Sequence, residues 1–195
     1  MEPEELKKLV KNNDNTSRRI LFEAYYKKTY AVAYNILRSH ENAEDITQDA
    51  FIKAFQNIHQ LQDGAKFGAW LAVIASNLAR NYLKRDKKIY YTDEEVVVED
   101  GSAVNSTEES ALRNLEVDRV RKAIRDLPSE YYQVIVLQYY YELKVEEIAD
   151  MLKLRTGTVK SRLHRARNRL VKDLELKDEP VCLKCKRADK GGEQE

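Results

Sequence analysis

RTGTVKSRLHRARNRL, residues Arg155 to Leu170, predicts a basic amphipathic helix. Apolar residues recur at every third or fourth position, which places them on one face of an α-helix. The remaining faces carry cations and polar groups and stay free for a partner. Thr156 or Thr158 can supply the oxygen of an N-cap, with Gly157 relieving backbone crowding beside it. The apolar stripe consists of Val159, Leu163, Ala166 and Leu170.

A shorter amphipathic pattern lies just upstream. VEEIADMLKL, residues 145–154, places Val145, Ile148, Ala149 and Leu152 on one side of a helix. Because the break around 154–156 is short, the two segments have the form of a helix-turn-helix, whose second helix lies in the DNA major groove. The alternative is a basic surface helix in a small bundle.

Composition narrows the class of protein. Charged residues make up 34% of the 195 residues, whereas Gly and Pro number only 6 and 3, which favours a mostly helical, all-α chain of one or two small domains. The N-terminus lacks the apolar run of a signal peptide. No stretch approaches the roughly 18 apolar residues of a membrane span. Two cysteines, both near the C-terminus, make a disulfide framework implausible and predict a cytoplasmic protein.

Charge is segregated along the chain although the formal net charge is only +1. Residues 144–172 carry nine basic residues against three acidic ones, and residues 80–88 carry five against one. Between them, residues 90–116 hold eight acidic residues and a single Arg. Two basic patches separated by an acidic connector predict two nucleic-acid contacts, although any single cluster could be a solvated face.

Helical periodicity and its loss give the domain organisation. Within the first helical domain, one helix is expected to end before Ser39, a second to run from near Glu41 to Ile58, and a third from about Lys66 to Lys87. Pro128 is expected in the first turn of a helix in the second domain. The predicted segments are a polar N-terminal segment (1–17), a helical domain (18–88), a flexible acidic linker (89–114), a helix-turn-helix domain (115–175) and a disordered tail (176–195).

Three motifs occur together in the order of a known family: AEDITQDAFIKAF (43–55), FGAWLAVIASNLARNYLKR (67–85) and GTVKSRLHRAR (157–167). With two helical domains, the chain resembles bacterial sigma factors of the extracytoplasmic-function group, which keep only regions 2 and 4. The resemblance covers about residues 18–175. It implies a dissociable subunit that binds core RNA polymerase and recognises the −10 and −35 elements of promoter DNA. An anti-sigma factor is a further candidate partner.

The first motif offers a candidate protein-binding face. Its acidic and amide side chains lie opposite the apolar stripe, which suits a protein partner but is also compatible with a solvated flank. In the family this face docks on the coiled coil of the largest polymerase subunit, and Gln48 and Asp49 match its central pair. The residues spaced to share this face are Asp45, Gln48, Asp49 and Lys53.

The second motif offers a candidate DNA-binding face. Two amides and two cations on one face can bond base edges and hold phosphates. In the family this helix reads the −10 element, and the loop before it, here about 61–66, captures an unstacked base. Gln60, Gln62 and Asp63 could supply hydrogen bonds to that base. The face consists of Asn77, Arg80, Asn81 and Lys84.

The third motif contains the predicted −35 contacts. Arg suits the O6 and N7 acceptors of guanine, so Arg165 is the first candidate for reading sequence. Lys144 stands where the family often has a capping Ser or Thr, which predicts a weaker cap on the first helix of the motif. The resemblance matches Ser161, His164 and Arg165 with base contacts and Lys160 and Arg162 with phosphate contacts, and Thr158 completes the set.

Other chemistry finds little support in the sequence. Cys182 and Cys185 form a CxxC pair without a second pair or a nearby His, so no zinc site is predicted. No nucleophile–base pair or Gly-rich phosphate loop occurs, so neither an enzyme nor a cofactor is expected. The tyrosines at 131, 132, 139, 140 and 141 are predicted to be packing residues.

Two competing functions remain open on the residues alone. One is an operator-binding regulator in which the first domain senses a ligand or mediates dimerisation. The other is a protein-interaction adaptor whose basic patches are solvated surface. Association with core polymerase would separate both from a sigma factor.

Overall fold

The structure is a computed structural model that describes residues 1–85 and 108–174. Those residues form two groups of helices, which confirms the predicted all-α fold with two small helical domains. Within them, no helix combines the length and apolar character needed to cross a lipid bilayer. The first group contains α1 (Pro3–Asn12), α2 (Asn15–Leu37), α3 (His40–Gln56) and α4 (Phe67–Arg85), and the second contains α5 (Glu108–Arg125), α6 (Ser129–Ile135), α7 (Val145–Leu152) and α8 (Thr156–Asp173).

In the first group, α2, α3 and α4 pack against one another around a shared core. Short side chains on α3, including Ala50 and Ala54, let its neighbours approach closely, and Phe67 and Leu71 of α4 are fully buried. Caps set where the helices begin. The Asp14 carboxylate accepts a hydrogen bond from the Ser17 backbone N–H at 2.7 Å, which starts α2 and lowers the pKa of Asp14.

The second group contains the predicted helix-turn-helix, formed by α7 and α8. Val159, Leu163 and Ala166 are buried, as the apolar stripe predicts, and pack toward α6 and α7. The expected N-cap is wrong, however. Arg155 occupies that position without a side-chain cap, and α8 begins at Thr156. The basic face of α8 is therefore held by packing on its apolar side.

The cap of α7 works from one side only. The Lys144 side chain has no acceptor and cannot bond the helix N–H groups, which agrees with the predicted weak cap. The Glu147 carboxylate nevertheless reaches back and accepts the Lys144 backbone N–H at 2.7 Å. Of the two hydrogen bonds of a capping box, α7 therefore has the one accepted by the Glu147 carboxylate, which needs only the backbone of Lys144.

Two boundaries differ from their predictions. α5 begins at Glu108, inside the stretch predicted as linker, because a helix N-terminus tolerates acidic sequence that elsewhere indicates a solvated connector. Pro128 lies at the N-cap of α6 in an extended conformation, one position before the helix. Most of the predicted linker and all of the tail from residue 176, including both cysteines, lie outside the described residues.

The two groups of helices share an apolar interface. Tyr132 of α6 is 5% exposed, and its hydroxyl accepts a hydrogen bond from Asn35 Nδ2 of α2 at 2.8 Å. Burial raises the pKa of Tyr132 to about 12. Gly68 of α4 lies against two rings, since a Cβ there would come within 2.5 Å of Tyr25 and 3.0 Å of Tyr141. The absence of a side chain at Gly68 lets the aromatic rings close this interface.

Polar contacts flank that interface on two sides. Arg38 Nη2 donates to the Arg125 carbonyl at 2.5 Å and lies 3.3 Å from Asp126 Oδ1. Arg38 has a left-handed φ of 54°, a conformation that costs an L-residue about 1–2 kcal/mol, so its cross-interface bonds offset local strain. Lys66 Nζ lies 2.7 Å from Glu147 Oε1, and this hydrogen bond is the main cause that lowers the pKa of Glu147.

The predicted packing role of the tyrosines holds for Tyr132 but not for Tyr139 and Tyr140, which are 45% and 50% exposed. A π-helical turn, Val136–Tyr140, extends α6 and changes the angular spacing of its side chains. The prediction treats all five tyrosines of this apolar segment as packing residues, although the consecutive residues 139–141 cannot all face one side of a helix. Lys28 Nζ of α2 lies 5.5 Å from the centroid of the Tyr140 ring, so that ring meets a cation at the edge of the interface.

Glu142 is expected to limit stability. It is exposed and has a φ of 54°, where its Cβ is crowded. Glu142→Gly should stabilise the fold by up to about 1 kcal/mol, because the removed strain exceeds the added entropy of the unfolded chain. Thermal melting followed by circular dichroism should then show a Tm raised by about 2–4 °C. Glu142→Ala retains the Cβ and should show no such rise; an equal gain for Ala would assign the effect to the carboxylate.

Candidate nucleic-acid and protein interfaces

The candidate protein-binding face on α3 is open to solvent. Asp45, Gln48, Asp49 and Lys53 are all exposed, while Ile46, Ala50 and Ala54 on the other side of α3 are buried. Among the described residues, none of the four exposed side chains forms a hydrogen bond or an ion pair. Ile52, 54% exposed, adds an apolar group beside them. The face thus combines acidic, amide and apolar groups without an internal partner.

The candidate DNA-binding face on α4 is partly organised by its own residues. Arg80 Nη2 donates to Asn77 Oδ1 at 2.5 Å, and Arg80 Nε donates to the Ser76 carbonyl at 3.3 Å. This leaves the amide N–H donors of Asn77 for a ligand. Asn81 and Lys84 are exposed, and within the described parts of the chain their side chains form no hydrogen bond or ion pair. Asn81 can therefore offer both its donor and its acceptor to a base edge.

The electrostatics of α4 also involve the second group of helices. Burial is the main cause that lowers the pKa of Arg80, and the positive charge of Arg162 on α8 lowers it further, while Glu130 of α6 raises it. Arg80 thus lies within electrostatic range of Arg162. The link between these two residues runs through α6, which packs against both α4 and α8.

The basic face of α8 includes cations that have no partner among the residues that the structure describes. Lys160 and Arg165 are exposed, and neither side chain makes a hydrogen bond or ion pair with the residues that the structure describes. Ser161 Oγ donates to the Thr158 carbonyl at 2.9 Å, so its oxygen can still accept. His164 Nε2 lies 3.1 Å from Asn168 Nδ2. Among the arginines of α8, Arg165 is thus the one whose guanidinium has no internal partner in the described chain.

Arg162 and Thr158 are less available than the sequence indicates. Arg162 Nη2 lies 3.2 Å from Glu130 Oε2, and its side chain is only 22% exposed. Thr158 is also only partly exposed. Arg162 and Glu130 lie on different helices, so neither helical periodicity nor motif spacing could reveal this ion pair. A phosphate contact by Arg162 would have to replace the Glu130 carboxylate.

The loop before α4 uses most of its polar groups internally. Asp63 Oδ1 accepts the Ala65 backbone N–H at 3.1 Å and so caps a 3-10 turn, Gly64–Lys66. Gln60 Nε2 donates to Asn57 Oδ1 at 3.1 Å. Gln62 is exposed, and its side chain has no hydrogen-bond partner among the residues described. Of the three residues predicted to meet a flipped base, Gln62 is the one whose side chain makes no hydrogen bond within the described chain.

Metal binding gains no support in the described ranges, 1–85 and 108–174. They contain no group of three or more His, Cys, Asp or Glu side chains that could hold a metal ion. Cys182 and Cys185 fall outside these ranges.

Comparison with known proteins matches both groups of helices. The family model for Sigma-70 region 2 matches residues 21–89, and the model for Sigma-70, region 4 matches residues 118–170. The first match contains the faces on α3 and α4, and the second contains the helix-turn-helix. α1 precedes the first match.

Relatives of similar length match most of this chain in sequence. The ECF RNA polymerase sigma factor SigW of Bacillus subtilis is 37% identical over 175 residues, covering 86% of this chain and 94% of the relative. The ECF RNA polymerase sigma-E factor of Haemophilus influenzae is 29% identical over 167 residues, covering 81% and 87%. The sigma factor RpoE of Bartonella quintana, solved with the anti-sigma factor NepR, has the same fold with a TM-score of 0.60 at 21% identity, covering 82% of this chain and 98% of that one.

Proposed function

This chain belongs to the extracytoplasmic-function sigma factors, which direct promoter-specific initiation by RNA polymerase, and we propose how three of its faces divide that task. Sigma factors are non-enzymatic regulators, so the chemistry of RNA synthesis belongs to the polymerase. The proposed domains are the region 2 domain (18–88), the linker (89–114) and the region 4 domain (115–175). Because the partner polymerase transcribes in the bacterial cytoplasm, we place the protein there.

The face on α3 is proposed to bind core RNA polymerase. Support comes from the exposure of Gln48 and Asp49 and from the absence of intramolecular partners for them in the described chain. Amides and carboxylates must form hydrogen bonds when an interface buries them. Side chains without internal partners can form such bonds with another protein. Asp45 and Lys53 extend the same face. Because this face lies away from the interface between the two groups of helices, polymerase can reach it in the arrangement described.

The face on α4 is proposed to read the −10 element in single-stranded form. Asn77 and Asn81 lie one turn apart on α4, and each is followed three residues later by a cation, Arg80 or Lys84. Amides that can read bases therefore alternate with cations that can bind phosphates. The hydrogen bond from Arg80 fixes the rotamer of Asn77 before DNA arrives. Gln62, in the preceding loop, is proposed to meet an unstacked base.

The face on α8 is proposed to read the −35 element in the major groove. The single observation that carries this proposal is Arg165, an exposed guanidinium on the polar side of the second helix of the helix-turn-helix, with no partner in the part of the chain that the structure describes. Ser161 and His164 flank it as shorter-range base contacts. Lys160, Thr158 and Arg162 are proposed to bind phosphates, with Arg162 exchanging the Glu130 carboxylate for a phosphate oxygen.

A pair of single variants tests this assignment. Arg165→Ala removes a bidentate donor, so holoenzyme should lose about 1–3 kcal/mol of discrimination at one −35 base pair. Lys160→Ala removes only a phosphate contact, so transcription should fall almost uniformly across promoters and the salt dependence should become shallower. In vitro transcription from promoters that differ at single −35 positions measures both effects. Equal, sequence-independent losses for the two variants would make Arg165 a phosphate anchor.

An anti-sigma factor is proposed as an additional partner. The sigma factor RpoE of Bartonella quintana, which has the same fold, has been solved in complex with the anti-sigma factor NepR. Affinity purification of the tagged chain from its host, followed by identification of stoichiometric partners other than polymerase subunits, tests the proposal. Recovery of core polymerase subunits alone would count against it.

A further inference from the structure

α1 lies against the loop that precedes α4. Leu6 and Val10 of α1 are buried, and α1 contacts both α2 and the 3-10 turn Gly64–Lys66. The sequence predicts a polar segment over residues 1–17 that has room for one short helix, and the region 2 family model begins at residue 21. A helix outside the matched family region is therefore built into the surroundings of the −10 loop.

Gly64 is the point of closest approach between α1 and this loop. A Cβ on Gly64 would lie 2.9 Å from the Lys7 Cα and 3.2 Å from the Val10 Cβ. The first of these atoms is backbone, so α1 itself would have to move to make room. Among the described glycines none has a positive φ, so close packing, and not an unusual backbone conformation, favours glycine at position 64.

The loop is also fixed by its own hydrogen bonds and by the core behind it. Asp63 caps the turn through the Ala65 N–H, and its other oxygen lies 3.9 Å from Lys66 Nζ. Phe67, which follows directly, is fully buried at the start of α4. α1 closes the remaining side. Gln62 is thus an exposed amide on a loop whose backbone is held from two directions.

We propose that α1 is a positioning element for base recognition: through its contact with Gly64 it fixes where Gln62 presents its amide to an unstacked base of the −10 strand. The inference rests on the proposed function, in which this loop meets that strand. Base-edge hydrogen bonds require donors and acceptors placed to within fractions of an ångström, so a supporting helix that contacts no DNA can still set base preference. Leu6, Val10 and Gly64 are positioning residues in this scheme.

Two variants disturb the same contact from opposite sides. Gly64→Ala drives α1 away from the loop, and Val10→Ala removes the side chain that seats α1 there. Lys8→Ala, on the exposed side of α1, is the matched control. Each full-length variant is combined with core polymerase, and transcription is measured from one promoter pool randomised across the −10 element and another randomised across the −35 element.

We expect both test variants to flatten the preference at the same −10 position by about fivefold, the lower end of what one base-edge contact contributes. Preferences at all other positions, including the −35 element, should match those of the parent. The Lys8→Ala variant should show the base preferences of the parent in both pools. Should Gly64→Ala fail to fold, as judged by circular dichroism, Val10→Ala alone decides the question.

Other outcomes overturn the inference in distinguishable ways. Equal losses on every −10 variant would show that α1 only stabilises the domain. Unchanged preferences in both variants, or a change confined to the −35 pool, would show that the contact with Gly64 does not position the reading loop. A parent holoenzyme without any −10 preference would overturn the proposed function of the loop and this inference with it.

Discussion

Gln48→Ala combined with Asp49→Lys is expected to abolish copurification of the protein with core RNA polymerase. The two side chains are exposed on α3 and have no internal partner in the described chain, so their replacement should leave the helices intact. Loss of an interface hot spot costs 2 kcal/mol or more, and a reversed charge against a basic partner adds repulsion. Together these effects correspond to at least about a hundredfold weaker binding.

Affinity pull-down of core polymerase with tagged protein measures the loss, and circular dichroism checks the helical content. Glu23→Lys on α2 is the control for charge reversal, since Glu23 is exposed and, among the described residues, pairs only with Arg19 at 2.9 Å on its own helix. Normal binding by the double variant would place the docking face elsewhere on the molecule. Weakened binding by Glu23→Lys to the same degree would indicate a general effect of charge.

Asn81→Ala should produce the second large effect, at the step of promoter opening. An exposed amide can pair its donor and acceptor with a base edge, which Ala cannot. If those edges become accessible only when the strands separate, closed-complex formation should remain near normal while permanganate-reactive, opened promoter falls by about 5- to 150-fold. Asn77→Ala should act in the same direction but also frees the Arg80 guanidinium, so Asn81→Ala is the cleaner variant.

A template with a pre-melted bubble that keeps the −10 sequence should rescue these variants only in part, because the base contacts are still missing. Full rescue would assign the residues to strand separation without sequence reading. Asn15→Ala, an exposed asparagine at the start of α2, should open promoters like the parent. Normal opening by Asn81→Ala as well would leave this part of α4 as solvated surface.

The sequence predicted those features that depend on local periodicity. The stripe of α8 is buried where the spacing of Val159, Leu163 and Ala166 places it, and α2, α3 and α4 end within a few residues of their expected limits. Such patterns succeed because a helix buries one face and exposes another. The prediction that all five tyrosines pack in the core rests on apolar composition instead, and it is wrong for Tyr139 and Tyr140, which are exposed in the π-helical turn.

Contacts between distant residues could not be predicted from one sequence. Asn35 meets Tyr132 and Lys66 meets Glu147 across separations of 97 and 81 residues, and no spacing rule connects them. The predicted site sets consequently lacked Glu130, which engages Arg162. The buried face of α1 is a different case, since Leu6 and Val10 are four residues apart on one helix and could have indicated a packing surface.

The nearness of Arg80 and Arg162 has a consequence for how the protein searches a chromosome. Sites named −10 and −35 are separated by about 25 base pairs, or about 85 Å along B-form DNA at roughly 3.4 Å per pair. No rigid body that keeps these two side chains within each other's field can contact both sites at once. If α4 and α8 read these two elements as proposed, the two groups of helices must part when a promoter is engaged. Until then, Arg80 and Arg162 are partly buried while Lys160 and Arg165 stay exposed, so a free copy meets the nonspecific sites that compete for DNA-binding proteins with only part of its basic surface.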